Sequence, residues 1–419
     1  MNRLSQTLQK PIGVVEYLRW STAAIPLMFL IIGRLGADIM LGYPFIVANS
    51  LILLILDKLR VHRNHIVALL AVSTFSLVGG TLAETPITAQ ASQILGISVV
   101  SIYFFCALAV LGPSVRQWMD MYARIAFGVA VYGIAHWGTA KLFHMGDGRL
   151  TSFYAEPSNF VYTTLPAIGY FINCYVTEKR YGPEAAIFIL SYLLAESSLG
   201  FMGLSLIGIF TFGRRVKGWQ VVLAFLLFGG FLAGLYFGST NVRIRAQNMA
   251  LALSTQDISK ANGTTFAFLS NVYISSQAFA AHPLTGVGIG GYSNIYDTYI
   301  AELTGIKQTD PDNLNLNRSD ANSLFLRVAA ELGAPGLIVL LSFLIIFGRV
   351  RGLPYQTMRN ALLPYLIVRM WRYGAYFSVE VYFFAGLYLF NYLNYCQGAL
   401  RPPNMAKPPP LLHNAAQVR

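Results

Sequence analysis

The chain has 419 residues, of which 55% are hydrophobic and only 11% charged, with a mean hydropathy of +0.53. Soluble domains carry about 25% charged residues and their single cores stop growing near ~250–300 residues, so this composition excludes an ordinary soluble enzyme and points to lipid as the solvent of much of the surface. A formal charge of +12 would suggest a nucleic-acid partner in a soluble protein. In a membrane protein it follows from basic loops held on the cytoplasmic side, and no nucleic-acid partner is expected.

The apolar runs are continuous and of helix length, unlike the alternating segments of about ten residues that build a membrane β-barrel. The expected fold is an all-α polytopic membrane bundle. About twelve transmembrane helices are predicted, over 18–35, 38–57, 64–83, 92–112, 122–140, 158–177, 184–198, 199–213, 219–238, 333–348, 360–376 and 377–397. Arg3, Lys10 and Arg19 precede the first run, no small-residue cleavage site follows it, and Arg34 comes next. That pattern reads as a signal anchor with its N-terminus inside.

The breaks between runs support this topology. Those assigned inside hold Lys58, Arg60 and Arg63; Arg116 and Arg124; Lys179 and Arg180; Arg214, Arg215 and Lys217; Arg349, Arg351 and Arg359; and Arg401, Lys407 and Arg419. A short outside break such as 84–91 carries no Lys or Arg. Residues 1–238 are then expected to hold helices one to nine, with an outer loop at 141–157. Residues 239–332 form a large periplasmic loop, 333–397 hold helices ten to twelve, and 398–419, with three consecutive prolines from Pro408, form a disordered cytoplasmic tail. A loop as long as 239–332 is usually functional or has structure of its own, and its stretch Thr264–Ala280 has the apolar pattern of a helix. Cys106, Cys174 and Cys396 lie inside apolar runs without metal-ligand spacing, and read as small buried hydrophobes.

Against the inside-basic rule, the outer side keeps its own cations: Arg149 in the first loop, and Arg243, Arg245, Arg318 and Arg327 in the second. Arg369 and Arg372 fall inside the eleventh span, and their spacing of three places them on one helix face. An arginine within a membrane costs at least ~2.5–3.5 kcal/mol. It needs either a structural partner, for which Glu380 is the candidate, or an anionic ligand. Arginine's planar fork suits phosphate, and a diphosphate carries enough charge to engage more than one. Carboxylates gather on the same side: Glu156, Glu196, Asp320 and Glu331. Each is either a salt-bridge partner of the arginines or a candidate general base. Gly286-Val-Gly288-Ile-Gly290-Gly291 contains a formal GxGxxG but has no strand–helix unit around it, so it reads as a tight turn rather than a dinucleotide site. His282, before Pro283, reads as structural rather than catalytic, and His136 and His144 are too isolated to argue a metal site. No GxSxG, HExxH, P-loop or EF-hand pattern is present.

With these residues set out, the chain resembles the superfamily of O-antigen ligases and Wzy-type polysaccharide polymerases. The layout of about twelve spans with a late periplasmic loop is similar. So is His282-Pro-Leu-Thr-Gly-Val-Gly-Ile-Gly-Gly-Tyr292, which follows a P-x-x-G-x-G-x-x-x-(Y/F) pattern. Asn322-Ser-Leu-Phe-Leu-Arg-Val-Ala-Ala-Glu331-Leu-Gly333-Ala-Pro-Gly336 looks like the pattern H-N-x-x-L-x-x-x-x-E-x-G-x-x-G, and Arg149…Glu156-Pro-Ser158 is similar to a segment of exopolysaccharide polymerases. The motifs cover roughly 50 residues; the layout covers the chain.

The resemblance implies a C-type glycosyltransferase architecture in the bacterial inner membrane with both termini cytoplasmic. Its substrate would be an oligosaccharide on undecaprenyl diphosphate, with arginines holding the diphosphate and no metal or other cofactor. A chain-length regulator is a candidate partner. In the ligase pattern a catalytic histidine precedes the asparagine; here Asn322 stands at that position and Ser323 at the next. Neutral Asn cannot serve as a base, which favours a polymerase making exopolysaccharide, capsule or O-antigen over a ligase acting on lipid A core. The base is then sought in Glu156 first, Glu196 second, or Asp320. Arg149, Arg243, Arg245, Arg318, Arg327, Arg369, Arg372 and Asn322 are the candidate diphosphate or glycan contacts. Arg243 or Arg245 would replace an arginine that the family carries shortly before the Gly-rich stretch. A lipid-linked-glycan flippase or an anion transporter remains the reading of another class, although no internal repeat is visible.

Overall fold

The computed structural model describes residues 13–34, 38–143, 148–213, 237, 240–255, 261, 263–303 and 314–399. Nearly all of their regular structure is helical. In chain order the helices are α1 (Val14–Ala23), α2 (Gly42–Ile55), α3 (Arg63–Leu82), α4 (Ile87–Val110), α5 (Val115–Leu142), α6 (Pro157–Glu178), α7 (Gly182–Ala195), α8 (Ser198–Phe212), α9 (Thr240–Thr255), α10 (Gly263–Ala281), α11 (Tyr292–Ile300), α12 (Leu324–Phe347), α13 (Leu353–Arg372) and α14 (Val379–Ala399). The expected span 219–238 lies outside the described residues apart from Phe237, as do Arg3, Lys10 and the tail from 400 onward.

The first expected helix, 18–35, is not continuous. α1 stops at Ala23, and a 3₁₀ turn follows over Ile25–Phe29 with Pro26 at its start. The backbone then forms a short antiparallel ribbon, β1 (Ile31–Arg34) with β2 (Asp38–Met40), which pairs Gly33 with Ile39 and Arg34 with Asp38. Pro26 offers no N–H to continue the helical ladder and its ring clashes with the preceding turn. An apolar run can therefore reach helix length without being one helix.

The bundle is centred on α6, which is buried on every face from Phe160 to Phe171. A helix apolar all round belongs inside, and here α5, α7, α8 and α13 surround it. Tyr122 on α5 donates to Thr163 O (2.8 Å), and Tyr192 on α7 donates to Val161 O (2.7 Å). Gly203 lets α8 come against Leu165, and Gly169 lets α13 approach until a Cβ would lie 3.0 Å from the Ala361 Cα. At the same crossing Asn360 Nδ2 donates to Asn173 Oδ1 (3.1 Å). Small residues that bring backbones together, joined by an interhelical amide bond, are how helices associate where lipid removes the hydrophobic drive.

By length and composition, α3, α4 and α12 could each cross a membrane. α3 and α12 also turn much apolar surface outward, with Leu70, Val78, Ile338 and Val339 all more than half exposed. The shorter α2, α7 and α8 are apolar too. Apolar faces of this kind fit lipid rather than water. Replacing Gly169 with Leu should push α6 and α13 apart and cost about 1–3 kcal/mol through overpacking. Thermal unfolding of the detergent-solubilised protein checks this, with Gly128→Leu on α5, where a Cβ meets nothing within 4 Å, as the tolerated control.

Candidate functional site

The glycine-rich stretch is a docking loop. Gly286, Gly288 and Gly290 all have left-handed φ, from +64° to +85°. The loop lies against three elements. A Cβ on Gly286 would run into the Glu331 carbonyl, one on Gly288 would lie 2.6 Å from the Gly80 Cα on α3, and one on Gly290 would lie 2.7 Å from Ala89 O on α4. Both backbone conformation and space therefore demand glycine.

What the loop binds is a break in α12. Gly333 (φ +61°, ψ −157°) interrupts that helix two residues before Pro335, leaving carbonyls without helical donors. Val287 N–H donates to Ala330 O (3.0 Å) and Gly288 N–H to Glu331 O (2.9 Å), while Ala334 N–H donates to Pro283 O (2.8 Å). Thr85 adds a bond to Val287 O (2.7 Å), and Ser76 Oγ accepts from Ile289 N–H (2.8 Å). The two resembling stretches, 282–292 and 322–336, are thus one assembly, and dinucleotide binding has no place in it.

α12 starts at Leu324, nine residues before the expected boundary at 333. Its first turns carry Arg327 and Glu331, which pair at i,i+4 (Nε–Oε1 3.2 Å) and are both buried. The carboxylate also accepts Tyr292 N–H (3.1 Å), and Arg327 donates to Gly374 O (3.1 Å) while stacking on Tyr376. A second pair closes the other side of the turn 373–378. Arg369 donates through Nε to Glu380 Oε1 (3.0 Å) and through Nη2 to Ala375 O (3.1 Å) and Ser378 Oγ (2.7 Å). It also donates to Tyr373 O and stacks on that ring.

These bonds correct two candidate ligand contacts. Arg327 and Arg369 are 3% and 2% exposed, and their forks hold protein carbonyls and glutamates. Internal pairing explains why a membrane bundle tolerates them. The structural alternative raised for Glu380, neutralising Arg369, is what the geometry contains.

Arg372 is different. It is half-buried and donates to the side-chain oxygen of Asn322. Ala321 and Asn322 have left-handed φ of +56° and +57°, and the turn is held by Asp320, whose Oδ1 accepts Asn322 N–H (3.1 Å) and Asn317 Nδ2 (2.9 Å). Ser323 caps α12 and donates to Met370 O (2.8 Å). Gly374 sits directly on Asp320 O, where a Cβ could not fit. Asp320, Asn322 and Arg372 are therefore brought to one spot, between the start of α12 and the end of α13. Beside it a small cavity is lined by Met28, Met40, Tyr43, Tyr373 and Ser378.

The other candidates have different surroundings. Glu156 is exposed at the start of α6 and accepts the Ser158 hydroxyl (2.8 Å). Glu196 is exposed between α7 and α8, with left-handed φ. Arg149 is half-buried before Leu150, whose N–H donates to Leu194 O (2.9 Å). Arg243 is exposed on α9, and the side chain of Arg245 lies outside the described residues. Arg318 pairs with Asp297 at the surface, which gives its charge a partner away from the turn. Sequence reasoning named Tyr292 only as the aromatic end of the glycine-rich pattern, and did not single out Tyr373, Tyr376 or Gly374. Burial holds the Tyr292 phenol well above its usual range, so it stays neutral and donates to Asn271 Oδ1 (2.7 Å). Among the described residues, no three His, Cys, Asp or Glu side chains converge as a metal site requires.

Glu380→Leu should cost about 3–5 kcal/mol because Arg369 would be left buried and unpaired, and adding Arg369→Met should recover most of it. Chemical unfolding of the single and double variants measures both steps; a double variant no better than the single one would show that the pair is not the unit. No protein-family model, curated protein or solved structure matches the chain, and the site is read from its own residues.

Proposed function

We propose that this chain is a Wzy-type polymerase, joining oligosaccharide repeat units carried on undecaprenyl diphosphate into exopolysaccharide, capsule or O-antigen. The observation that carries the reading is the convergence of Asp320, Asn322 and Arg372 between the start of α12 and the end of α13, on the same helix whose break receives the glycine-rich loop. The reading places about twelve spans in the bacterial inner membrane, both termini in the cytoplasm, and the 373–378 turn at the periplasmic face.

In this scheme the half-buried Arg372 is the cation that meets the diphosphate, oriented by Asn322. Its fork stabilises the negative charge that grows as the anomeric C–O bond to the diphosphate breaks. The acceptor hydroxyl attacks the anomeric carbon and its proton passes to a carboxylate. Asp320 adjoins Arg372 through Asn322, which moves it ahead of Glu156 and Glu196 as the base. Arg327 and Arg369 act as positioning residues that hold the turn. Arg149 and Arg243, which carry no ion pair among the described contacts, remain candidates for acidic or distal parts of the glycan. Positioning and electrostatics supply the catalysis, and no metal step is invoked.

A strain deleted for the protein and rescued with Arg372→Ala should accumulate single repeat units and make at least about a hundredfold less long polymer, the scale of losing one charge-stabilising donor. Gel analysis of polysaccharide beside lipopolysaccharide reads this. Long chains retained on the lipid carrier would indicate a ligase instead, and unchanged polymer in the deletion strain would favour a transporter. Polymerisation by the purified protein should continue in EDTA; activity lost and then restored by a divalent cation would refute the metal-independent scheme.

A further inference from the structure

At the opposite end of α13 from Arg369 a second polar cavity opens between three helices. It is lined from α6 by Asn173 and Thr177, from α8 by Thr211, and from α13 by Gln356, Thr357 and Arg359. Arg359 and Arg369 are ten residues apart, so this cavity lies roughly 15 Å along the helix from the second ion pair. Nothing in the proposed glycosyl transfer uses it.

Four observations describe its chemistry. Thr211 is 8% exposed, and its hydroxyl is buried without a hydrogen-bond partner among the described residues. Buried hydroxyls are nearly always satisfied, so an orphaned one on a cavity wall points to a group that belongs there. Next, the cavity receives the N-terminal turn of α13, a twenty-residue helix whose cap Gly352 offers no side chain to its first amides. Those amides and the helix dipole favour an anion. Among the described residues of the lining, Arg359 is the charged side chain and there is no Asp or Glu. Glu178, next in sequence to Thr177, is occupied between Arg116 and Arg180. Lastly, Arg359 is anchored through Nε (3.0 Å) and Nη2 (2.6 Å) to Asn360 Oδ1, and Asn360 is bonded to Asn173. The guanidinium is thus fixed in place by the same amide pair that joins α6 to α13.

The cavity measures about 50 Å³. One water needs roughly 10–15 Å³ on this scale, so a group of about four or five heavy atoms fits. We infer that this cavity is a phosphate-binding site, taking either the phosphodiester of an anionic phospholipid headgroup or free inorganic phosphate. Arg359, the Thr211 hydroxyl and the first amides of α13 supply the donors. A choline headgroup adds a bulky cation, for which the cavity has neither room nor a carboxylate.

The full-length protein in phosphatidylcholine nanodiscs provides the test, and it is independent of glycosyl transfer because the readout is stability rather than polymer. Midpoints of thermal unfolding are compared with phosphatidylglycerol mixed into the disc or with inorganic phosphate added to the buffer. The expected result is a rise in the wild-type midpoint. Arg359→Gln and Thr211→Val should need roughly tenfold more ligand for the same rise, and Thr211→Ser, which keeps the hydroxyl, should behave as wild type. A rise with phosphatidylglycerol alone identifies the lipid, and a rise with inorganic phosphate alone identifies the free ion. No rise with either, or an equal rise in wild type and Arg359→Gln, overturns the site. If Thr211→Val fails to fold, the Arg359→Gln comparison decides.

Discussion

The turn between α13 and α14 depends on two buried arginine–glutamate pairs that grip it from opposite sides. Arg327 with Glu331 holds Gly374 O, and Arg369 with Glu380 holds Tyr373 O and Ala375 O. Each guanidinium is covered by a tyrosine ring, Tyr376 over one and Tyr373 over the other. Burying one such charge unpaired would cost several kcal/mol. Pairing it with a glutamate and saturating its donors with carbonyls removes most of that cost. It also ties irregular backbone, which lacks helical bonds of its own, to three helices.

That arrangement sets the position of the candidate site. Because Gly374 lies on Asp320 O and Ser323 bonds Met370 O, the start of α12 cannot shift without moving the end of α13. Arg372 follows Arg369 by three residues on the same helix, so the paired arginine fixes where the half-exposed one points. The break at Gly333 links the turn to the glycine-rich loop, because that loop's amides take up the carbonyls the break releases. One charge-paired turn thereby connects the membrane-suited helices α3, α4 and α12 to the loop helices α10 and α11.

Much of the helical order was legible in the sequence, because a continuous apolar run between basic breaks has few other solutions in lipid. The runs over 64–83, 158–177 and 199–213 nearly coincide with α3, α6 and α8. The failures have specific causes. The run 18–35 is apolar enough for a helix, yet Pro26 stands at the start of a 3₁₀ turn that ends it. Arg327 and Glu331 made 324–332 look like a polar break, although their charges cancel at i,i+4 and the segment is the buried first half of α12. Periodicity registers apolar residues; it does not register a self-neutralising pair.

The site was legible in composition but not in role. Seven arginines and several carboxylates fall in segments that the sequence assigns to the outer face, yet linear spacing cannot distinguish a charge that serves a ligand from one that serves the fold. Arg369 and Arg372 illustrate the difference, being three residues apart, of the same type and on the same helix. One faces a glutamate in the first turn of α14 and disappears into the protein. The other is half-buried and donates to Asn322, a neutral amide. An amide can orient a guanidinium without neutralising it, whereas a carboxylate does both. Under the proposed function, a site that meets a diphosphate uses the first arrangement at its mouth and the second in its frame, and this turn contains one of each side by side.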